Sequence, residues 1–217
     1  MKKLVLLGAG GFGREVAASI LPFMNQREPS YELIGFIDDG AQYHAGMMID
    51  GYPWLGGQDW ILDHKDDVCC TCTIGNAKTK AAIQRKLAGQ GVRFATLIGH
   101  RVYLAPYSEI GPGCVIYGRV TISVNCKLGA GVVLNDSVSL GHDVTIGDYT
   151  SIMPGTGISG GCVIGKEVDI GGHAYIVPGR KVGDGAKIAA GSIVFTNVKA
   201  GTIVLGNPAK RMKGLEG

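Results

Sequence analysis

The chain has 217 residues, of which 36 are glycine and only 7% aromatic, and it carries a net charge of +3. That length allows one large domain or two small ones, the charge forms no basic cluster for nucleic acid, and no apolar segment is long enough to span a bilayer. Six cysteines without a pairing framework fit a reducing, cytoplasmic setting, and no set of side chains has the spacing of a metal site.

The apolar run after Met1-Lys2-Lys3 is too short for a signal peptide and ends in glycines. Residues 3–7 read instead as a buried strand, followed by Gly8-Ala9-Gly10-Gly11-Phe12-Gly13 and a helical spacing over residues 14–21 that ends near Pro22. Strand, glycine loop and helix open a βαβ unit. The glycines let a ligand approach the backbone, and the helix N-terminus offers free N–H groups to a phosphate. Residues 33–37 make a second strand ending in Asp38-Asp39, where an acid commonly meets a ribose hydroxyl. Gly10, Gly11, Phe12, Asp38 and Asp39 are therefore candidate nucleotide or nucleotide-sugar contacts. A tight β–α turn with a solvated acidic loop would show the same letters. Residues 50–56 read as loop and turn, 68–74 as a strand, 79–87 as a helix and 94–97 as a short strand leading out. His44 and His64 fall in polar loops and read as solvated. Residues 1–95 are thus expected to form a Rossmann-like α/β domain, about half of an ordinary dinucleotide fold.

From Ile98 to Val194 every sixth residue is Ile, Leu or Val, without an insertion. Two residues earlier the side chain is mostly small (Cys114, Val120, Cys126, Val132), and glycine often follows the aliphatic residue (Gly111, Gly129, Gly141, Gly147). Each six-residue unit then holds a short strand and a turn. Three units close a triangular coil, and coils stack at about 4.8 Å. Residues 96–197 are expected to form this parallel β-helix, and residues 198–217, which leave the register, a capping tail. The crossover rule by itself predicts a right-handed coil. His142 lies two residues beyond the inward Leu140, at a corner, with Asp143 beside it to orient the imidazole. One coil further on, Gly160 is expected to stack over His142 and bare its N–H.

The hexapeptide pattern resembles that of the hexapeptide-repeat acyltransferases. The Gly8–Gly13 loop, Gly35-Phe36-Ile37-Asp38-Asp39, Gly51-Tyr52-Pro53-Trp54-Leu55-Gly56, Ile74-Gly75-Asn76, Asn135 with His142-Asp143, and Gly206-Asn207-Pro208-Ala209-Lys210 together resemble the PglD/NeuD-type sugar acetyltransferases. The resemblance implies a left-handed β-helix, a homotrimer with active sites between subunits, and acetyl-CoA as cosubstrate. The acceptor would be an amino group or hydroxyl of a nucleotide-linked sugar or sialic acid, with no metal. It implies that His142 is the general base, Gly160 an oxyanion donor and Asn135 a sugar contact, and that Ser151, Gly172 and Ala190 touch coenzyme A. The tail would reach the nucleotide end of the coenzyme. Two positions depart from the pattern: Phe12 and Ser151 stand where relatives often carry histidine. Two other readings are an NAD-linked oxidoreductase using Gly8-x-Gly10-x-x-Gly13, and a non-catalytic trimeric scaffold.

Overall fold

Leu4, Val5, Leu6 and Leu7 are buried in β1 (Lys2–Leu7), which pairs in parallel with β2 (Tyr31–Ile37) and β5 (Cys69–Cys72). A central strand covered on both sides has no polar face, hence the unbroken apolar run. The computed structural model describes residues 1–19 and 30–212, so the helix end expected near Pro22 lies outside the described residues. The stretch read as loop at residues 50–56 instead supplies β4 (Tyr52–Gly56), parallel to β2 and antiparallel to β3 (Met48–Ile49). Its flanking glycines and Pro53 look like a turn, but an outer strand tolerates proline. The sheet order is β3-β4-β2-β1-β5.

Three described helices accompany this sheet: α1 (Gly11–Ser19), α2 (Gln58–His64) and α3 (Ala77–Gly89). α1 begins three residues earlier than its apolar spacing indicates, so only Gly8, Ala9 and Gly10 remain as the loop. Gly13 lies within the helix and has to be glycine, because a Cβ there would lie 2.0 Å from the Gly8 carbonyl oxygen. α3 is longer than expected at both ends; Asn76 caps it by accepting the Thr79 N–H at 2.9 Å. His64 ends α2, its ring stacked on Trp60 at 4.0 Å, and is not a loop residue. The strand expected at residues 94–97 reduces to a single bridge between Phe94 and Cys70, and Leu97 already belongs to the first coil.

The repeat builds a left-handed parallel β-helix, a prism with three faces. Face I runs from Leu97–Ile98 to Lys187–Ile188 and continues into Ile203–Leu205; face II runs from Tyr103–Leu104 to Ile193–Val194, and face III from Glu109–Ile110 to Lys181–Val182. The partners Thr121↔Ser139, Lys127↔Thr145 and Val133↔Ser151 fix one coil at eighteen residues. Inside, the aliphatic column is sealed from Ile116 to Val194, with Cys114, Cys126 and Cys162 filling small gaps beside it. The first coil is incompletely covered: Leu104 is 39% exposed, and Ile98 and Ile110 are only partly buried. Arg180 falls in the series of small inward residues, yet it is half-buried and its guanidinium turns to the Pro178 carbonyl.

The third residue of most corners takes a left-handed conformation, as in Asn125, Asp143 and His173 (φ 58°, 58° and 56°). Asn and Asp accept that region more readily than most side chains. The tail rejoins the ladder, since Lys187 and Ile188 pair with Ile203 and Val204, and Val198 and Val204 lie against the last coils' core.

The two halves meet across face I. Leu97, Val115 and Val133 point outward there and are buried against Leu4, Leu6 and Phe36. Each such side chain contributes about 1.5–3 kcal/mol before entropy is counted. One coil further on the contact turns polar. Lys80 of α3 is fully buried and donates to the Ser151 hydroxyl at 2.8 Å, while Asp169 accepts the Ala77 N–H at 3.0 Å. Burial pulls the Lys80 ammonium from 10.5 down to about 8 against the opposing pull of Cys72, Cys114 and Asp169.

The folded chain therefore binds fewer protons than the unfolded chain between those two values, and this term favours folding as pH rises through them. A displacement of that size corresponds to about 3 kcal/mol. Urea midpoints of Lys80→Met and wild type, taken from pH 7 to pH 10.5, should shift steadily in favour of wild type. A gap independent of pH would show that burial does not pull the Lys80 ammonium below its ordinary value.

Candidate active site

His142 occupies the corner between faces II and III, outside the core, with two thirds of its side chain exposed. Its Nδ1 lies 2.7 Å from Asp143 Oδ2. The other Asp143 oxygen accepts the Asn125 amide at 2.6 Å. Asn125, and after it His142, hold the Asp143 carboxyl below the ordinary carboxylate range. The carboxylate is therefore fixed from the coil below and can accept the imidazole Nδ1–H, which leaves Nε2 as the basic nitrogen.

Nε2 faces Gly160: a Cβ at Gly160 would come within 2.5 Å of it. The two corners are tied by the Gly161 N–H, which donates to the His142 carbonyl at 2.8 Å. The Gly160 N–H makes no hydrogen bond among the described residues. It also stays open because Gly141 has no side chain; a Cβ there would lie 2.5 Å from the Gly160 nitrogen. A free N–H beside an unprotonated imidazole nitrogen is the pairing an acyl transfer needs: a base for the nucleophile and a donor for the oxyanion.

The other expected site residues lie elsewhere. Asn135, Gly172 and Ala190 line the corner between faces I and II, across face II from His142. Asn135 is nearly buried, with its side-chain oxygen accepting the Asp136 N–H at 2.7 Å. The amide N–H groups of Gly172 and Ala190 donate no hydrogen bond among the described residues. Ser151 does not join them. It is fully buried on face I beneath Lys80, so its side chain cannot touch a coenzyme on the surface, which corrects the expectation drawn for it.

The glycine loop approaches the same I–II edge. Phe12 packs on Tyr117 with ring centroids 5.9 Å apart, joining α1 to the prism. Tyr117 is buried, and burial together with the nearby Glu15 carboxylate pushes its phenol well above the usual value. A Cβ at Gly10 or Gly11 would meet nothing within 4 Å, so the chain's own packing does not demand glycine there. Asp38 accepts the Ala9 and Gly40 N–H groups, both at 2.8 Å, and therefore braces the loop. Asp39 accepts from the Gln58 backbone and side chain at the start of α2. Both carboxylates have structural work besides any ligand.

Asn125 and Gly141 escaped the sequence reading. Counting one coil back from Asp143 and from Ser159 finds both. Among the described residues no group of His, Cys, Asp and Glu could hold a metal ion, and no helix is long and apolar enough to cross a membrane.

Comparison with known proteins agrees with this architecture. Residues 3–87 match the PglD N-terminal domain, and residues 125–160 and 143–177 match the bacterial transferase hexapeptide repeat. The chain is 32% identical over 218 residues to a GDP-perosamine N-acetyltransferase of Escherichia coli O157:H7, covering 96% of this chain and 95% of that one. The acetyltransferase domain of PglB from Neisseria gonorrhoeae, solved with acetyl coenzyme A, is 28% identical with a TM-score of 0.86, covering 97% of this chain and 99% of that one. WeeI from Acinetobacter baumannii is 29% identical with a TM-score of 0.86, covering 98% and 100%. Fold and corner together define a hexapeptide-repeat acyltransferase. Within that class, the chain belongs to the sugar acetyltransferases that join a PglD N-terminal domain to a hexapeptide β-helix.

Nitrogen-detected spectra of the His142 ring at pH 8 should show the Nδ1–H tautomer, which is not the one favoured by free imidazole. Asn125→Ala should weaken that preference and Asp143→Ala should abolish it. A predominant Nε2–H form in wild type would remove His142 from the role of base.

Proposed function

We propose that this enzyme transfers the acetyl group of acetyl-CoA to the amino group of a nucleotide-linked sugar, with His142 as general base. The observation that carries the reading is the pairing of His142 Nε2 with the unengaged Gly160 N–H, the imidazole being oriented by Asp143. The acceptor class is supported by the E. coli relative, named for GDP-perosamine, and the cosubstrate by the PglB complex with acetyl coenzyme A. An NAD-linked oxidoreductase is not favoured: the E. coli relative is an acetyltransferase that matches nearly the whole chain, prism included.

The acceptor nitrogen attacks the thioester carbonyl carbon, forming the C–N bond as His142 Nε2 takes the N–H proton. The Gly160 N–H stabilises the oxyanion. Collapse breaks the C–S bond, and the proton on His142 passes to the departing coenzyme A thiolate. The base contributes about 10²–10⁴ in rate and the oxyanion donor about 10²–10³. Gly10, Gly11 and Phe12, with Asp38 and Asp39, would meet the nucleotide sugar. Asn135 would stand near the sugar ring, and the Gly172 and Ala190 amides would meet the coenzyme arm.

The site residues lie on two different edges of the prism, so one chain cannot bring them together. Threefold packing that sets the II–III edge of one subunit against the I–II edge of the next unites them. Tyr103, Tyr107, Val124, Tyr175 and Phe195 are all exposed large apolar residues, and all lie on the outside of face II or its II–III edge. Such a concentration supports a surface that another subunit would cover.

Thiol release from acetyl-CoA should be measured against GDP-perosamine, a UDP-linked 4-amino sugar, a free amino sugar and sialic acid. The nucleotide-linked amino sugars should be acetylated, and His142→Ala should lose at least a hundredfold in kcat while still binding coenzyme A. Sedimentation should give a trimer. Half-normal activity in His142→Ala would overturn the base. NADH binding without coenzyme A binding would restore the oxidoreductase reading, and no turnover with any acceptor would favour a scaffold.

A further inference from the structure

Face II carries a tyrosine that neither the fold nor the proton transfer explains. Tyr175 points outward from its strand, one coil beyond Gly157 and two beyond Ser139. Its ring does not stand off the prism. It lies down over Gly157, in the space where a side chain would be: a Cβ at Gly157 would sit 2.7 Å from Tyr175 Cδ2 and 2.9 Å from Cε2. The far end is pinned as well, because the phenol and the Ser159 hydroxyl are hydrogen-bonded at 2.8 Å. Ser159 directly precedes Gly160. The ring therefore reaches from its own coil back to the edge that holds the oxyanion donor.

Beneath it is a depression of ≈ 240 Å³, bounded by Ser139, Leu140, Gly141, Ile158, Ser159 and Tyr175. It ends at Gly141, the neighbour of His142, and its outer lip is the residue before Gly160. A thioester with its oxygen on the Gly160 N–H and its carbon before His142 has two remaining substituents. The sulfur must leave along the coenzyme, so the alkyl group turns toward the prism wall, where this depression begins. Subunit packing over face II would close the depression from water.

We propose that the depression receives the alkyl part of the transferred acyl group, and that Tyr175 sets its length, admitting acetyl and rejecting chains of four carbons or more. The proposal rests on the reading of the His142 corner as the site of acyl transfer. A methyl group fits at the near end. A longer chain has to continue along face II, across the strip over Gly157 that the ring covers. Removing the ring uncovers Gly157 and Ser139, two small residues, and so lengthens the channel by about one strand spacing, roughly 4.8 Å.

The test compares kcat/KM for acetyl-CoA and butyryl-CoA, using whichever acceptor supports turnover, in wild type, Tyr175→Ala, Tyr175→Phe and Ser159→Ala. One methylene in a shaped apolar site discriminates by about 10–200-fold, so wild type should prefer acetyl by at least a hundredfold. Tyr175→Ala should bring the preference below about tenfold, chiefly by raising kcat/KM for butyryl-CoA. Tyr175→Phe and Ser159→Ala keep the ring but free its end, and should fall between. An unchanged ratio in Tyr175→Ala, with transfer still dependent on His142, overturns the chain-length assignment alone. Transfer that survives in His142→Ala, or no transfer to any acceptor, overturns the underlying reading instead.

Discussion

In the prism the first residue of most strands gives its N–H to a carbonyl of the next coil, as Val115 does to Val132 and Val133 to Thr150. Once that ladder closes, residue n has no freedom to stack on anything but residue n + 18. The aliphatic column holds the register from inside, since a slip of one residue would turn every Ile and Leu outward. The same register then places groups at the surface with the precision of a backbone hydrogen bond. Asn125, Asp143 and Gly161 follow one another up one edge, and His142 and Gly160 up the line beside it. The proposed catalytic geometry is a by-product of coil stacking, and two glycines, Gly141 and Gly160, keep it open.

The ladder also explains how the α/β domain is seated. Face I repeats Leu97, Val115 and Val133 outward, then Ser151 and Asp169, while the outward positions of face III begin Glu109, Lys127 and Thr145. The sheet and α3 cover the apolar part of face I and answer its polar part with Lys80 and the Ala77 N–H. That places the glycine loop against the I–II edge, where Phe12 meets Tyr117. The domain is thus turned away from its own His142, and in the proposed trimer the acceptor it would carry would face the neighbouring subunit.

Much of this was legible beforehand because the repeat is a rigid ruler. The coil length, the stacking of Gly160 on His142 and the corner position of Asp143 follow from counting. The contact of the two halves was also written in the sequence, in every eighteenth residue from Leu97, but it is visible only when outward positions are counted as well as inward ones. Ser151 shows where analogy runs out. Its place in the register is right, yet what covers it is decided by Lys80, seventy-one positions earlier in the chain and outside any repeat. Short irregular pieces were misread for a similar reason: β4 is a strand because β2 offers it an edge, and its own residues, with Pro53 and Gly56, look like a turn.

The central claim is that one active site takes His142 from one subunit and the I–II edge from the next. The direct measurement uses two inactive variants, His142→Ala and Gly172→Trp, the latter blocking the coenzyme path on that edge. Co-expressed with different tags, they form mixed trimers that can be isolated through both tags. Either mixed composition leaves one of the three interfaces with an intact histidine facing an intact edge, so turnover should return to about a third of wild type. Mixed trimers no more active than either parent would contradict the account and place the whole site within a single chain.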